Sequence, residues 1–196
     1  MGSLLATFSA ALEARDPYLR GHSTRVTAFA ESLARVLGWR GSRLEALQLG
    51  GSLHDVGKIS VDASVLLKAG PLTEQELEQI RRHPVTGARL VESFDDFEAA
   101  LPYVLHHHER WDGFGYPHGL SGDRIPLVAR VLGVADAFDA MTSARAYRPA
   151  LSVEQALVEL ERCAGSQFDP ELARAFVDGW RQGEISVPGR PVRLAI

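Results

Sequence analysis

Apolar side chains recur at three- and four-residue spacing along most of this chain of 196 residues, and strict two-residue alternation is scarce. His22, Val26, Phe29, Ala30 and Leu33 show the spacing within one stretch. It is typical of helices that bury one face, whereas alternation is typical of half-buried strands. No internal repeat, low-complexity segment or interdomain linker interrupts the pattern. The sequence therefore predicts one all-α domain.

Capping residues and helix breakers set the expected limits of the helices. Pro17 suits a first helical turn, Gly38 a C-terminal stop, and Ser42 the cap of a third helix. Thr73 and Glu76 have the spacing of a capping box. The helices predicted from these signals and from the periodicity span residues 4–15, 17–37, 42–55, 73–83, 84–91, 97–108, 126–141, 152–162 and 170–180.

The chain is expected to divide into three segments. Residues 1–15 form a first helix, which could be a linker from a regulatory module; residues 16–185 form the domain; and residues 186–196 form an extended tail. The first helix could pair with a second copy, pair with an upstream helix or pack on its own domain, so the oligomeric state stays open. Four apolar residues lie on one side of it: Leu4, Leu5, Phe8 and Leu12.

Composition excludes several classes of protein. A net charge of −4 argues against nonspecific binding to nucleic-acid polymers, which favours basic proteins. The single Cys163 cannot form an internal disulfide and suits the core of a protein in a reducing compartment. The longest apolar region, residues 125–141, is interrupted by Arg130, Asp136 and Asp139, and the first residues lack the pattern of a signal peptide. We therefore expect a cytoplasmic protein with no membrane insertion.

One short stretch, His54-Asp55-Val56-Gly57-Lys58, places an imidazole, a carboxylate and an ammonium group at the end of an apolar run. Lys58 follows His54 by four residues, which on a helix puts both side chains on one face. Polar groups in such a position need partners or a ligand. A capped helix end would explain the stretch if it stood alone, so its meaning depends on the rest of the chain.

Several other imidazoles and carboxylates also lie in apolar or helical contexts. A lone histidine there is usually a core residue, and Asp136 could simply bind a neighbouring helix, but so many coincidences favour a metal site. Imidazole with carboxylate suits iron, manganese, zinc, nickel or cobalt rather than calcium or magnesium. Seven ligands are too many for one ion and about right for two, with Asp55 able to bridge. The candidate ligands are His22, His54, Asp55, His83, His107, His108 and Asp136.

Two further clusters adjoin the candidate ligands. The glycine-rich loop at residues 109–123 contains Tyr116 and follows two of the histidines, so it is expected to line the site rather than form an ordinary turn. Asp139 lies one turn after Asp136, and Arg145 and Arg148 follow. Surface salt bridges would explain either arginine alone. Together with Lys58, the arginines could form a cationic rim for a phosphorylated anion.

These motifs, in this order, resemble the HD-GYP family. The resemblance covers residues 16–176 and rests on the histidine–aspartate pair at 54–55, on His83-Pro84, on residues 107–117 with their Gly-Tyr-Pro end, on residues 145–148 and on residues 167–170. It implies an all-α HD-domain helical bundle with a metal site in its centre. It also implies a phosphodiesterase that opens the cyclic dinucleotide c-di-GMP to linear pGpG, in some members to GMP, with two divalent transition-metal ions, usually iron or manganese.

The resemblance also assigns roles. One ion would take His22, His54, Asp55 and Asp136, and the other would take Asp55 as a bridge with His83, His107 and His108. Lys58, Arg145 and Arg148 match positions that contact substrate phosphates, and we add Asp139 and Tyr116 as candidate substrate contacts. The expected attacking group is a metal-bridging hydroxide, with Asp55 and Lys58 as catalytic residues and the general acid left open.

Some members of the family hold a third metal through a glutamate one turn before the first histidine. Tyr18 occupies that place here, and Asp16 falls on another helix face, so two metals are expected. The alternatives are a phosphodiesterase for another cyclic dinucleotide such as 3′,3′-cGAMP, a nucleotidase, or a non-catalytic module that binds c-di-GMP or docks to a partner. A regulatory domain or a diguanylate-cyclase-type protein is an expected partner.

Overall fold

The computed structural model describes residues 2–15, 20–144 and 149–187, and within these ranges the side chains of residues 2–6 and 9 are not described. This part of the chain is helical and contains no strand, so the all-α prediction is confirmed. Its α-helices are α1 (Gly2–Arg15), α2 (His22–Val36), α3 (Ser42–Leu53), α4 (Ala63–Leu66), α5 (Glu74–Arg81), α6 (His83–Val91), α7 (Leu101–His106), α8 (Leu127–Thr142), α9 (Val153–Arg162) and α10 (Pro170–Arg181). Short 3₁₀ segments lie at Val56–Ser60, Asp95–Ala100 and Gly122–Arg124.

The larger apolar core joins α2, α3, α8, α9 and α10. Phe29 of α2 packs edge-on against Phe138 of α8, with ring centroids 5.1 Å apart, and Phe138 lies 4.8 Å from Phe176 of α10. All three rings are removed from water, which is the main contribution to the stability of such a core.

A smaller apolar core lies beneath α6 and α7. It consists of Leu53, Val56, Val91, Phe97, Ala100 and Val104. The candidate ligands lie on elements that border one core or the other, because α2 and α8 belong to the larger core while α6, α7 and the chain at Leu53–Val56 belong to the smaller.

Helix α1 packs on its own domain. Phe8 lies edge-on to Phe94, with ring centroids 6.3 Å apart, and Leu12 is buried. Arg15 donates a hydrogen bond of 2.8 Å to the carbonyl of Val61, and Glu13 accepts one of 2.9 Å from the backbone N–H of Gly21. The end of this helix at residues 8–15 therefore packs on its own domain, which is one of the arrangements that the sequence left open.

Local capping agrees with the sequence at the helices that begin with strong signals. Thr73 and Glu76 form the predicted capping box at the start of α5. Ser152 forms a second box with Gln155 at the start of α9. Each box satisfies backbone N–H groups that a helix start leaves unpaired.

Several predicted helix limits differ from the structure. The helix predicted at residues 17–37 begins only at His22, because Gly21 before it adopts a left-handed backbone conformation. The helix predicted at residues 97–108 is split into a 3₁₀ segment and the short α7, because Pro102 in the first turn of α7 has no N–H group to continue the hydrogen bonds of the preceding segment. Ser42 is the first residue of α3 and not its cap, a position taken by Gly41. Helix α3 ends at Leu53, two residues earlier than predicted.

No helix among the described residues combines the length and hydropathy that a membrane span requires.

Some predictions fall on residues that the structure does not describe. Asp16, Tyr18, Arg145 and Arg148 lie outside the described ranges, as does nearly all of the expected tail at residues 186–196.

Candidate metal centre

The fold brings the seven candidate ligands together in two adjoining groups, and within each group the potential ligand atoms lie within 4.8 Å of one another. The first group is His22, His54 and Asp136, and the second is Asp55, His83, His107 and His108. This partition matches the division between two ions that the family resemblance implies, with Asp55 at the boundary.

Most of these side chains lie at the start of a helix or directly after its end. His22 begins α2 and His83 begins α6, while His54 and Asp55 directly follow α3. His107 and His108 directly follow α7, and Asp136 lies within α8. Side chains from five places in the chain therefore converge only when the helices pack, which is why spacing along the sequence does not reveal the geometry of the centre.

Asp55 faces both groups. Its Oδ1 lies 3.3 Å from Nε2 of His83 and 3.9 Å from Nε2 of His107. Its Oδ2 lies 3.5 Å from Nε2 of His54 and 3.7 Å from Nε2 of His22. Each oxygen thus points at a different set of imidazoles, which is the arrangement that a bridging carboxylate requires.

Backbone carbonyls orient three of the imidazoles. Nδ1 lies 2.8 Å from the Gly51 carbonyl in His54, 2.7 Å from the Ile80 carbonyl in His83, and 3.0 Å from the Val104 carbonyl in His107. An Nδ1–H that donates to a carbonyl leaves Nε2 unprotonated and free to bind a metal, as in known metal sites. These contacts therefore orient Nε2 of all three rings toward the centre.

Two buried atoms of the centre have no hydrogen-bond partner among the described residues: Nε2 of His54 and Oδ1 of Asp55. Burying a polar atom without a partner is costly, so such atoms indicate a missing ligand. Nitrogen and oxygen donors of this kind suit a transition-metal ion. The residues present therefore fit a metal centre.

Burial controls the protonation of the second group. It lowers the pKa of His107 well below its usual range, and neighbouring imidazoles lower it further. Burial likewise lowers the pKa of His108 to about 3, with the charge of a neighbouring histidine as the next cause. Both rings are therefore neutral near pH 7, the form in which imidazole binds metal ions.

His22 behaves differently. Burial alone would lower its pKa, but hydrogen bonds to Asp136 and Asp139 outweigh burial and raise the pKa to about 9. Burial would raise the pKa of Asp136, yet the hydrogen bond from His22 holds it below its usual range. Without a metal, a proton on His22 offsets the charge of these carboxylates, and a bound cation would take its place.

Lys58 lies at the edge of the centre on the 3₁₀ segment, not on the helix that precedes His54. Its ammonium group donates a hydrogen bond of 2.6 Å to Oδ2 of Asp55, and its side chain is 18% exposed. The charge of Lys58 lowers the pKa of Asp55, against the effect of burial, which acts in the opposite direction. Lys58 therefore keeps Asp55 ionised and presents a cation beside it.

The prediction that Asp139 contacts substrate is wrong for this geometry. Its carboxylate is buried, with Oδ2 2.8 Å from Nδ1 of His22 and Oδ1 accepting a 2.6 Å bond from Nε of Arg25. Both oxygens therefore bind other groups of the protein. Asp139 orients the candidate ligand His22 from the side of the ring that faces away from the centre.

Sequence reasoning missed Arg25, whose guanidinium holds Asp139 in this position. Its spacing of three residues from His22 was the only available signal.

Glu109 was also missed as a structural residue. Its buried carboxylate accepts hydrogen bonds from the backbone N–H groups of His118, at 2.8 Å, and Leu120, at 3.0 Å, and so fixes the shape of the loop.

A cavity of about 460 Å³ opens beside the second group. His107, His108 and Asp136 form part of its wall, and Tyr116 and Arg130 line it farther out. The Tyr116 ring lies 4.8 Å from the His108 ring. The loop that carries Tyr116 therefore does line the candidate centre, as the sequence suggested.

The chain is similar to a known domain family and to several named proteins. The HD domain family model matches residues 6–172. The chain is 39% identical over 182 residues to the cyclic di-GMP phosphodiesterase response regulator RpfG of Xanthomonas campestris, covering 92% of this chain and 48% of that protein. It is 41% identical over 167 residues to the cyclic di-GMP phosphodiesterase PA4108 of Pseudomonas aeruginosa, covering 85% of this chain and 40% of that protein.

A third relative is named for a different substrate. The 3′3′-cGAMP-specific phosphodiesterase 3 of Vibrio cholerae is 33% identical over 173 residues, covering 88% of this chain and 38% of that protein. Among solved structures, the HDGYP protein Bd1817 of Bdellovibrio bacteriovorus aligns with a TM-score of 0.67 at 21% identity, covering 82% of this chain and 51% of that one. The chain spans less than half the length of these three sequence relatives.

Proposed function

Because the chain belongs to the HD domain family and resembles its HD-GYP members, we propose that it is a metal-dependent phosphodiesterase that hydrolyses c-di-GMP to linear pGpG. The observation that carries the proposal is the position of Asp55, whose two oxygens face two separate groups of imidazoles beside an open cavity. Relatives named as cyclic di-GMP phosphodiesterases support the choice of substrate.

The proposed cofactor is a pair of divalent transition-metal ions, with iron or manganese first and zinc, nickel or cobalt also compatible with the donors. His22, His54 and Asp136 would hold one ion, His83, His107 and His108 the other, and Asp55 both. Such a pair, when bound, activates water as a nucleophile and stabilises charge on the phosphoryl oxygens.

The protein's own groups would bind and orient the phosphodiester. Lys58 lies next to Asp55 at the partly exposed edge of the centre, where its ammonium group would meet a phosphate oxygen. Arg145 and Arg148 are proposed to make further phosphate contacts, on the strength of the resemblance alone. Tyr116 lines the cavity, where a nucleotide would lie, and is proposed as a substrate contact.

A second candidate substrate is 3′,3′-cGAMP, because relatives of comparable identity are named for it. The residues proposed above would bind metal ions and phosphate groups. Both cyclic dinucleotides carry phosphodiester groups, so these residues do not distinguish the two substrates. The non-catalytic alternative is disfavoured because the sequence contains all seven candidate ligands and their potential ligand atoms lie close together in two groups, which supports metal binding.

Two further proposals concern the setting of the protein. A cytoplasmic location is supported by the free, buried thiol of Cys163, which suits a reducing compartment. A regulatory domain or a diguanylate-cyclase-type protein is proposed as a partner, and one relative is named as a response regulator.

The decisive experiment is a hydrolysis assay with manganese- or iron-loaded protein and each of the two cyclic dinucleotides, with products separated by chromatography. Formation of pGpG at a higher kcat/KM than the cGAMP product supports the proposal. A preference for cGAMP would select the second candidate. Binding of c-di-GMP without any product, in protein shown to contain metal, would overturn the proposed catalysis.

A further inference from the structure

A third cluster of potential ligands lies outside the seven residues of the candidate centre. It consists of His106, Glu109 and His118, whose ligand atoms lie within 4.8 Å of one another. Nδ1 of His106 is 3.8 Å from Oε1 of Glu109, and the rings of His106 and His118 have centroids 5.4 Å apart. His106 ends α7, whereas His118 belongs to the loop that follows the Gly-Tyr-Pro motif.

The carboxylate of Glu109 is rigidly held. Its side chain is fully buried, and one backbone N–H donates to each oxygen, from His118 to Oε1 and from Leu120 to Oε2. A carboxylate oxygen can accept more than one interaction, so both oxygens keep lone pairs after these bonds. Glu109 is therefore positioned before any ion arrives.

His106 lacks the backbone contact that orients the neighbouring His107. Nδ1 of His107 approaches backbone carbonyls, whereas Nδ1 of His106 is buried with no hydrogen-bond partner among the described residues. It faces Glu109 at 3.8 Å, which is too far for a hydrogen bond. A held carboxylate oxygen and an unpartnered imidazole nitrogen face each other across this gap, with a second imidazole beside them, and such a group of donors can surround a cation.

We propose that His106, Glu109 and His118 form a separate binding site for a zinc-class divalent ion. Two imidazoles and one carboxylate are donors that suit zinc, with a fourth position left for water. Zinc binds nitrogen and oxygen donors at about 2.0–2.2 Å. The ligand atoms of the three residues now lie within 4.8 Å of one another, so they need to move only slightly closer together to bind one ion. His118 supplies the movement, because its side chain is exposed while its backbone stays held by Glu109.

An ion in this site would connect two parts of the chain that border the candidate metal centre, the end of α7 and the loop that carries Tyr116. His106 directly precedes His107 and His108, and His118 lies two residues after Tyr116. The ion would tie the end of α7 to the loop that lines the cavity and so stabilise both. Its role is structural, because these three side chains do not belong to either group of the candidate centre.

The test is a zinc titration of wild-type protein and of His118→Ala, with bound zinc counted by elemental analysis after removal of free metal. Because the His118 side chain is exposed and its backbone bond to Glu109 survives the change, the variant should fold normally. Wild type is expected to retain one more zinc ion per chain than His118→Ala. The His118→Cys variant should restore the lost ion, because a thiolate also binds zinc. Equal zinc content in wild type and His118→Ala would overturn the site.

An anomalous difference map from crystals of zinc-loaded wild-type protein gives a second measurement that does not depend on any variant. A peak bounded by His106, Glu109 and His118 is expected, in addition to any peaks at Asp55. Its absence in zinc-saturated crystals would also overturn the proposal. Hydrolysis of a cyclic dinucleotide, measured separately, does not affect either outcome.

Discussion

Nδ1 of His22 lies 2.8 Å from Oδ2 of Asp139, on the side of the imidazole opposite to the candidate metal centre. Nε2 of the same ring points inward, 3.3 Å from Oδ1 of Asp136. Arg25 fixes Asp139 from the other side with bonds of 2.6 and 3.0 Å. Such a carboxylate sets the tautomer and orientation of a metal-binding histidine and makes it a stronger ligand.

The first prediction follows from this pair. Asp139→Asn should lower the affinity of the first group for Mn²⁺ by about 10- to 100-fold, because an amide neither matches the charge of Arg25 nor increases the basicity of His22. At saturating metal, KM for c-di-GMP should stay near its wild-type value. Metal titration followed by steady-state kinetics measures both quantities.

Ser143→Ala is a matched control, because Ser143 accepts a weaker bond of 3.2 Å from the same Arg25. It should bind Mn²⁺ almost as wild type does. A raised KM in Asp139→Asn with normal metal affinity would instead return Asp139 to the list of substrate contacts.

The second prediction concerns the number of ions. Asp55→Ala should lose both, because each carboxylate oxygen faces a different group. His54→Ala should lose mainly the ion held with His22 and Asp136, and both variants should lose hydrolysis. Elemental analysis of purified, metal-loaded proteins distinguishes the outcomes. Retention of one full equivalent by Asp55→Ala would argue against a bridging carboxylate.

Local signals predicted much of the fold. The capping residues Thr73 and Ser152 act within three residues of their partners, so their helices begin where the sequence indicates. The errors occurred where local signals conflict. The periodic pattern at 97–108 continues through Pro102, but the backbone there cannot remain a single regular helix.

The sequence predicted which residues could be metal ligands but not how they are arranged. Motif order identified the candidate ligands, yet the contact between His22 and Asp139 joins residues 117 positions apart and depends on how α2 packs on α8. Lys58 shows the same limit. A spacing of four from His54 suggested a shared helix face, but α3 ends at Leu53, and Lys58 instead reaches Asp55, three residues before it.

The third prediction concerns pH and applies to metal-free protein. Burial lowers the pKa of His108 to about 3 in the folded state, against an ordinary value of 6.5. Between these values the unfolded chain binds a proton that the folded protein does not, so this group makes stability fall as the pH falls from 6.5 towards 3. One such proton contributes a slope of about 1.4 kcal/mol per pH unit.

His108→Asn removes that proton, so the acid side of its stability profile should be shallower than that of wild type by up to about this slope. Urea unfolding of metal-stripped proteins at several pH values between neutral and acidic measures the difference. Parallel profiles for the two proteins would contradict the lowered pKa of His108.

The last prediction tests how closely the 3₁₀ segment must approach α6 to place His83. A Cβ atom at Gly57 would collide with the carbonyl oxygen of His83 and lie 2.5 Å from the backbone nitrogen of Gly87. Gly57→Ala must therefore push the segment away from α6, at a cost of about 1–3 kcal/mol or more. The shift also moves Asp55 relative to His83, so the affinity of the second group for metal should fall together with stability.

The matched control is Gly70→Ala, because a Cβ there meets nothing within 4 Å. It should change stability by less than about 1 kcal/mol and leave metal binding unaltered. Urea unfolding and Mn²⁺ titration of the two variants provide the test, and a Gly57→Ala protein as stable as Gly70→Ala would show that this close approach is not required.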